Sequence, residues 1–402
     1  MASTTSHYAA LAEQIEFILQ HPEAATQIED DQIRRRLAEG GRKLNIALED
    51  PRATLRRISY VHFQIALACV GIEAGIFAAL TSDPQKTFTN GELAEKTAVD
   101  PKLLKRLLRY YQSQDMISQV EEDGYKPNSV TRTLATDGYS HAVRFFTRVT
   151  GPAVLALPDF LQKNSYKDPT GVTPRAFNMG HRTDAHPFAW VQDRPEMMGL
   201  FLPWMNIQRE GRPAFFDVFD VRKELAQGAT SSTPLFVDVG GAMGSQCIVF
   251  RQRYPDLPGR VILQDLPHVV DMVKANPLPG FDNIEAEAHD MFKPESVKGA
   301  RAYYLRNVLH DWPDAEVMKI LSSIKTGMTE ESVILIDEAV LSERGAPWRA
   351  VQQDVEMLAC FSAMERTEAE WRKLIDEAGL TTREVRRYTE EYEDTVIVVA
   401  LK

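Results

Sequence analysis

One stretch restricts this chain more than any other: Phe236-Val-Asp-Val-Gly-Gly-Ala-Met-Gly-Ser-Gln246. A β-branched apolar run ends in glycines and then turns amphipathic, the pattern of a buried parallel strand, a tight turn and a helix start. Gly240, Gly241 and Gly244 let backbone approach a ligand with no Cβ in the way, and a helix N-terminus offers unpaired N–H groups. The spacing is Gly-Gly-x-x-Gly, not the dinucleotide pattern Gly-x-Gly-x-x-Gly, so a plain glycine turn remains open on this stretch alone.

From Leu235 onward the chain repeats strand–helix units. Leu235–Val239, Arg260–Gln264, Ile284–Ala288, Ala302–Leu305, Val333–Ile336, Thr382–Tyr388 and Thr395–Leu401 are candidate strands. Helix-length segments separate the first five, which predicts parallel strands with crossovers. A short acidic turn joins the last two, which predicts an antiparallel hairpin.

In an open α/β sheet the ligand sits at the carboxyl ends of the strands, so the residues there carry the argument. Asp265 follows the second strand, roughly 20 residues beyond the glycines, where a carboxylate can accept ribose hydroxyls. Asp290 and Met291 follow the third, His310, Asp311 and Trp312 the fourth, and Glu338 the fifth. A glycine turn with acidic residues at successive strand ends, and no Gly-x-x-x-x-Gly-Lys-Ser/Thr pattern, suits a nucleoside without phosphate. S-adenosylmethionine is the best candidate. His310 titrates near neutrality, and Glu338 on the neighbouring strand end could orient its ring, although a histidine closing a loop is the plainer alternative.

The N-terminal half reads as helical. Ile15, Ile18, Leu19, Ile33, Leu37 and Leu44 recur at helical spacing, and Phe63 to Leu80 is apolar nearly all round, which predicts a helix in a core or a subunit interface. Thr89-Asn-Gly-Glu and Asp100-Pro-Lys-Leu-Leu-Lys-Arg-Leu-Leu-Arg each open on a capping residue; with Ile117–Val120 and Tyr125–Val130 as a hairpin they predict a winged helix. Residues 139 to 216 are rich in aromatic residues and Met; most read as core, while some can wall a pocket for a flat apolar ligand, and His141, by default a surface or capping histidine, stands beside Phe145 and Phe146 where it could reach one.

Net charge is −11, which argues against nonspecific binding to nucleic acid or anionic membrane despite Lys102, Lys105, Arg106 and Arg109 on the second helix. Cys69, Cys247 and Cys360 are too few and scattered for a disulfide framework or a zinc site, so a reducing, cytoplasmic setting is expected. No secretory signal is visible, and the apolar run at 63–80 carries Glu73 and lacks membrane anchors.

Taken together, Val237-Asp-Val-Gly-Gly-Ala-Met-Gly, Gln264-Asp-Leu-Pro-His-Val-Val, His289-Asp-Met-Phe, Leu305-Arg-Asn-Val-Leu-His-Asp-Trp-Pro-Asp, Ile336-Asp-Glu and Glu365-Arg-Thr-Glu-Ala-Glu-Trp resemble, in order and spacing, the plant and fungal caffeate-type O-methyltransferases. The resemblance runs from about residue 60 to the C-terminus and is closest to the fungal secondary-metabolite branch. It implies a Rossmann-like seven-stranded methyltransferase sheet behind an N-terminal winged-helix dimerisation domain. The expected division is 1–50 as a helical extension, 51–185 as the dimerisation and substrate-lining region, and 186–402 as the S-adenosylmethionine-binding catalytic domain.

The resemblance also implies roles. Gly240, Gly241 and Gly244 would line the methionine and ribose of the cofactor, Asp265 the ribose hydroxyls, and Leu266, Asp290, Met291 and Trp312 the adenine. His310 would be the general base, flanked by Glu338 and Glu365, and no metal is required. Arg306, expected on the cofactor side, stands where many relatives have lysine, and Ala359-Cys-Phe-Ser-Ala-Met364 replaces the plant Asn-Pro-Gly-Gly-Lys run. His141, Phe145, Trp204, Met357 and Phe361 are the expected acceptor contacts. The expected activity is methyl transfer to a phenolic or enolic hydroxyl of a secondary metabolite such as a polyketide. The rival is a lyase or pericyclase of the same fold that keeps the cofactor as a fixed positive charge.

Overall fold

The computed structural model describes residues 2–20, 28–208 and 211–402, which divide into two compact units, 1–67 and 68–402. The first unit is helical, with helices Ala2–Gln20 and Asp31–Leu48 and the start of Pro51–Glu73. Asp30 caps the second of these by accepting from the N–H groups of Gln32 and Ile33. Helical periodicity is present as expected, yet no residue of Asp31–Leu48 is buried, and Leu37, Leu48, Leu55, Ile58 and Val61 stand exposed.

The helix expected over 63–80 is two helices. The first ends at Glu73, Gly75 adopts the left-handed conformation (φ +71°), and Ile76–Thr81 follows. Phe63 and Ile65 are exposed, whereas Ala68, Cys69, Ile76, Phe77 and Leu80 are buried.

Within the second unit, helix Asn90–Thr97 starts on a capping box between Thr89 and Glu92, and Pro101–Ser113 starts on Asp100 with proline at its first position. Strands β1 (Ser118–Glu121) and β2 (Gly124–Lys126) then form the antiparallel hairpin of the winged-helix pattern. The second arm stops short of Val130. Asn128 and Thr131 exchange capping hydrogen bonds that start helix Ser129–Ala135 and draw Val130 into it.

The large sheet contains β3 (Pro234–Val239), β4 (Arg260–Asp265), β5 (Glu285–Ala288), β6 (Ala302–Arg306), β7 (Val333–Leu341), β8 (Arg366–Thr367), β9 (Leu380–Arg387) and β10 (Asp394–Leu401). Its order is β5-β4-β3-β6-β7-β10-β9, with the short β8 paired to β7. Strands β3 to β7 run parallel, and β10 is antiparallel to both β7 and β9, as the connection lengths predict. The fifth strand is longer than expected and contains Glu338 within it.

Alternation along the strands builds a core on each face. Val237, Leu305, Ile336 and Ile397 pack on one side, with Trp371. Phe236, Tyr304, Leu335 and Val398 pack on the other. Because the sheet is covered on both faces, the open positions for chemistry are the strand ends.

Candidate active site

The glycine turn folds as its sequence demands. Gly240 and Gly244 take positive φ (+73° and +77°), and a Cβ on Gly241 would stand 2.5 Å from Asp238 Oδ2. The turn is stitched to β4, where Asp265 Oδ2 accepts from Ala242 N at 2.8 Å and Oδ1 from Leu266 N at 2.7 Å. Leu266 keeps its side chain exposed beside that carboxylate. Asp290 Oδ1 accepts from Phe292 N, and Met291 and Phe292 pack at the edge of the core together with Trp312. Arg306, at the end of β6, pairs through its backbone with β7, but its side chain makes no hydrogen bond or ion pair with any described residue, although its charge opposes the burial that pushes the Asp238 carboxyl up to about 7.

Beside this turn the chain forms the short helix Leu309–Asp311, which carries His310. Its Nδ1 lies 2.5 Å from Glu365 Oε1, the distance of a strong charge-assisted hydrogen bond. Glu338 acts differently from the ring-orienting role suggested by its strand position: Oε1 accepts from Val308 N (3.1 Å) and Leu309 N (2.9 Å), fixing the backbone that presents His310. Its Oε2 is 3.7 Å from His310 Nδ1, too far to hydrogen-bond. His310 Nε2, on the far side of the ring, is 3.6 Å from Asp311 Oδ1 and bonds to no described residue.

The electrostatics follow from this crowding. Burial disfavours a charged imidazole, but Glu365, Glu338 and Asp311 outweigh it and hold His310 up to about 10, well above the near-neutral value expected of an isolated ring. Burial pushes Asp311 and Glu338 up to about 7, with His310 pulling against it in both cases. Ligand atoms of His310, Glu338 and Glu365 lie within 4.8 Å of one another, so these three could also hold a cation.

Two further residues brace the histidine. Gln353 Nε2 donates to Glu365 Oε1 at 2.8 Å, from helix Trp348–Phe361. The buried Arg366, next to Glu365, donates to Leu309 O (3.3 Å), Trp312 O (2.8 Å) and Asp314 Oδ1 (2.8 Å). Adjacent side chains on β8 and just before it thus grip the His310 ring and the backbone on both sides of it.

The aromatic region expected to wall a pocket assembles into one cluster. Phe145, Phe177, Leu200, Ala359 and Cys360 are buried together, with Phe201, Trp204 and Phe361 packed against them. Phe361 also meets Phe188 at 4.9 Å, and His186 stacks 5.6 Å from Trp312. Met357 is buried on the helix that carries Gln353. His141 is not drawn toward His310 by any described contact; its Nδ1 sits 2.6 Å from Asp137 O of its own helix.

Comparison with known proteins decides the family. The model of the O-methyltransferase domain family matches residues 217–381. The O-methyltransferase ucdC of Aspergillus ustus is 37% identical over 92% of this chain and 95% of its own length. The chain is a fungal-type O-methyltransferase.

Solved structures agree. LepI in complex with S-adenosylmethionine has a TM-score of 0.89 at 34% identity, covering 97% of this chain and 100% of that one. A pericyclic reaction enzyme gives the same figures. S-adenosylmethionine is therefore this methyltransferase's cofactor, and a small-molecule secondary metabolite its substrate.

The residues present fit that cofactor. Gly240 and Gly244 carry no Cβ that would crowd Val308 and Phe281, Asp265 reaches the same edge, and the Arg306 side chain, with no ion-pair partner among the described residues, offers a cation to a carboxylate. Sequence reasoning did not single out Gln353, Glu356 or Arg366. The first two sit on a helix with no motif of their own, whereas Arg366, inside the Glu365-Arg-Thr-Glu run, was available to be read.

Proposed function

We propose that the acceptor is a phenolic or enolic hydroxyl of a polyketide-like metabolite and that His310 takes its proton on Nε2. The observation that carries this reading is an imidazole whose Nδ1 is committed to Glu365 while Nε2 is left open, beside the glycine turn at the carboxyl edge of the sheet. Glu365 fixes the ring and balances the imidazolium, and Glu338 steadies the backbone beneath it. A phenol of ordinary acidity, near ~10, matches a base held at about 10, so proton transfer between them is nearly isoenergetic.

When bound, S-adenosylmethionine supplies an electrophilic methyl group. Gly240, Gly241, Gly244 and Arg306 would hold its methionyl end, Asp265 its ribose, and Leu266, Asp290, Met291 and Trp312 its adenine. Phe145, Trp204, Met357 and Phe361 would wall the acceptor side and exclude water. None of its contacts supports His141 in that role.

Methyl-labelled S-adenosylmethionine and a panel of phenolic and enolic polyketides, followed by mass spectrometry, test the reading. A product one methyl heavier, with an equal amount of S-adenosylhomocysteine, is expected; no labelled product from any member would reject it. A second reading, dehydration or cyclisation without cofactor consumption, is favoured by one observation: an imidazole held at about 10 is cationic at neutral pH and can donate to a carbonyl. The reading also includes a homodimer, resting on the exposed apolar side chains of the first unit, and a cytoplasmic site, resting on three buried free cysteines. No helix among the described residues is long and apolar enough to cross a membrane.

A further inference from the structure

One carboxyl group outside the described hydrogen bonds of His310 reaches the same space. Glu356 lies three residues beyond Gln353 on helix Trp348–Phe361, so the two share a face with Met357 and Cys360. Gln353 touches the His310–Glu365 pair, which places that face at the site. Glu356 Oε1 accepts from Thr150 Oγ1 at 3.0 Å. Thr150 closes the single π-helical turn Phe146–Thr150, a distortion that clusters at functional sites.

The second oxygen, Oε2, bonds to no described residue and is not fully buried. Glu356 nevertheless sits deep: burial pushes it up to about 7, with Thr150 and His310 pulling down and Glu365 pushing up. Glu356 is half-buried rather than sealed in the core, so a ligand can reach it. Its surroundings combine the apolar Met357 and Cys360 of its own helix with the charged His310 and Glu365. Burying a carboxyl in such surroundings costs free energy unless a polar partner meets it.

We propose that Glu356, buttressed by Thr150, is a specificity-determining residue that hydrogen-bonds a second oxygen of the acceptor, so that the enzyme selects polyhydroxylated aromatics over monohydroxyl analogues. The inference rests on the acceptor binding beside His310, as proposed above. A site built around a buried polar group rejects the analogue that leaves it unpaired, by a factor of ~10 or more.

Calorimetric binding to the full chain loaded with S-adenosylhomocysteine tests it, with 1-naphthol and the 1,3-, 1,6- and 1,8-dihydroxynaphthalenes as probes. At least one diol is expected to bind ~10-fold more tightly than 1-naphthol. Glu356→Leu should bring that ratio to within about twofold, and Thr150→Val should reduce it. Glu356→Gln, which keeps shape and hydrogen-bonding capacity, should retain part of the preference and guards against a folding defect. Equal affinity for all four probes, or a preference that survives Glu356→Leu, overturns the assignment. Methyl transfer is scored separately with S-adenosylmethionine: diols that bind with the Glu356-dependent preference but receive no methyl group would sustain the assignment and reject the transferase reading.

Discussion

To act as the proposed base, His310 has to accept a proton while it sits among the carboxylates of Asp311, Glu338, Glu356 and Glu365, all of which act on its charge or its hydrogen bonds. The neutral ring, the form able to take a proton, is a minor species at neutral pH when the pKa is about 10, and it grows as pH rises. kcat/KM is therefore expected to climb from neutral pH on a limb that extends toward about 10. Glu365→Gln removes the largest charge that holds the proton, so the limb should move to lower pH while kcat falls ~10²-fold or more. A limb that stays put would mean that another group titrates. His310→Ala should retain cofactor binding and lose ~10²–10⁴ of turnover; a near wild-type rate would end the assignment of the base. Stability follows the same sign. Because the folded pKa lies above the unfolded value of ~6.5, the contribution of His310 is complete below that pH and is lost as pH rises through about 10. Glu338 and Asp311, raised to about 7, weaken the fold earlier, between the ordinary carboxylate range and about 7.

At the scale of elements, the short helix bearing His310 is held by strand β8 and by β7. Arg366 ties Leu309 O, Trp312 O and Asp314, and stacks 5.0 Å from Trp371. Lysine cannot reproduce that fork. Arg366→Lys is expected to lower the melting temperature by several degrees, since buried carbonyls left unpaired cost ~1–3 kcal/mol each, and to lower kcat more than it changes KM. A shift in KM alone would place Arg366 in binding instead. Elements of this kind divide what the sequence discloses from what it hides. The parallel strands, the hairpin β9–β10 and the pairing of His310 with Glu338 were legible because strand periodicity and short motifs at strand ends are local signals, whereas Glu365 came only with the family resemblance. The break at Gly75 was less so, because a single glycine in an apolar run leaves helix continuation open until packing is known. Gln353 and Glu356 were not legible at all: their significance comes from contacts 12 and 206 residues away in the chain.

At the scale of the molecule, the unit spanning residues 1–67 presents apolar side chains that it does not cover itself. Leu55, Ile58 and Val61 are 65%, 61% and 61% exposed, and they recur three residues apart along helix Pro51–Glu73. That spacing makes a stripe on one helical face, and an uncovered stripe of this length marks an interaction surface. Singly exposed leucines are ordinary, but here Leu37, Leu48 and Tyr60 add to the same unit, so burial against another chain gains on the order of 2 kcal/mol per side chain. A second copy is the simplest partner, because a self-complementary patch closes into a two-fold dimer without help. The full chain should sediment at about twice its 45.4 kDa. Leu55→Glu combined with Ile58→Glu should give a monomer that still binds S-adenosylmethionine, since neither residue lies in the glycine-turn region. A wild-type chain that sediments as a monomer at micromolar concentration would remove the dimer, and a double variant that remains dimeric would move the interface off this stripe.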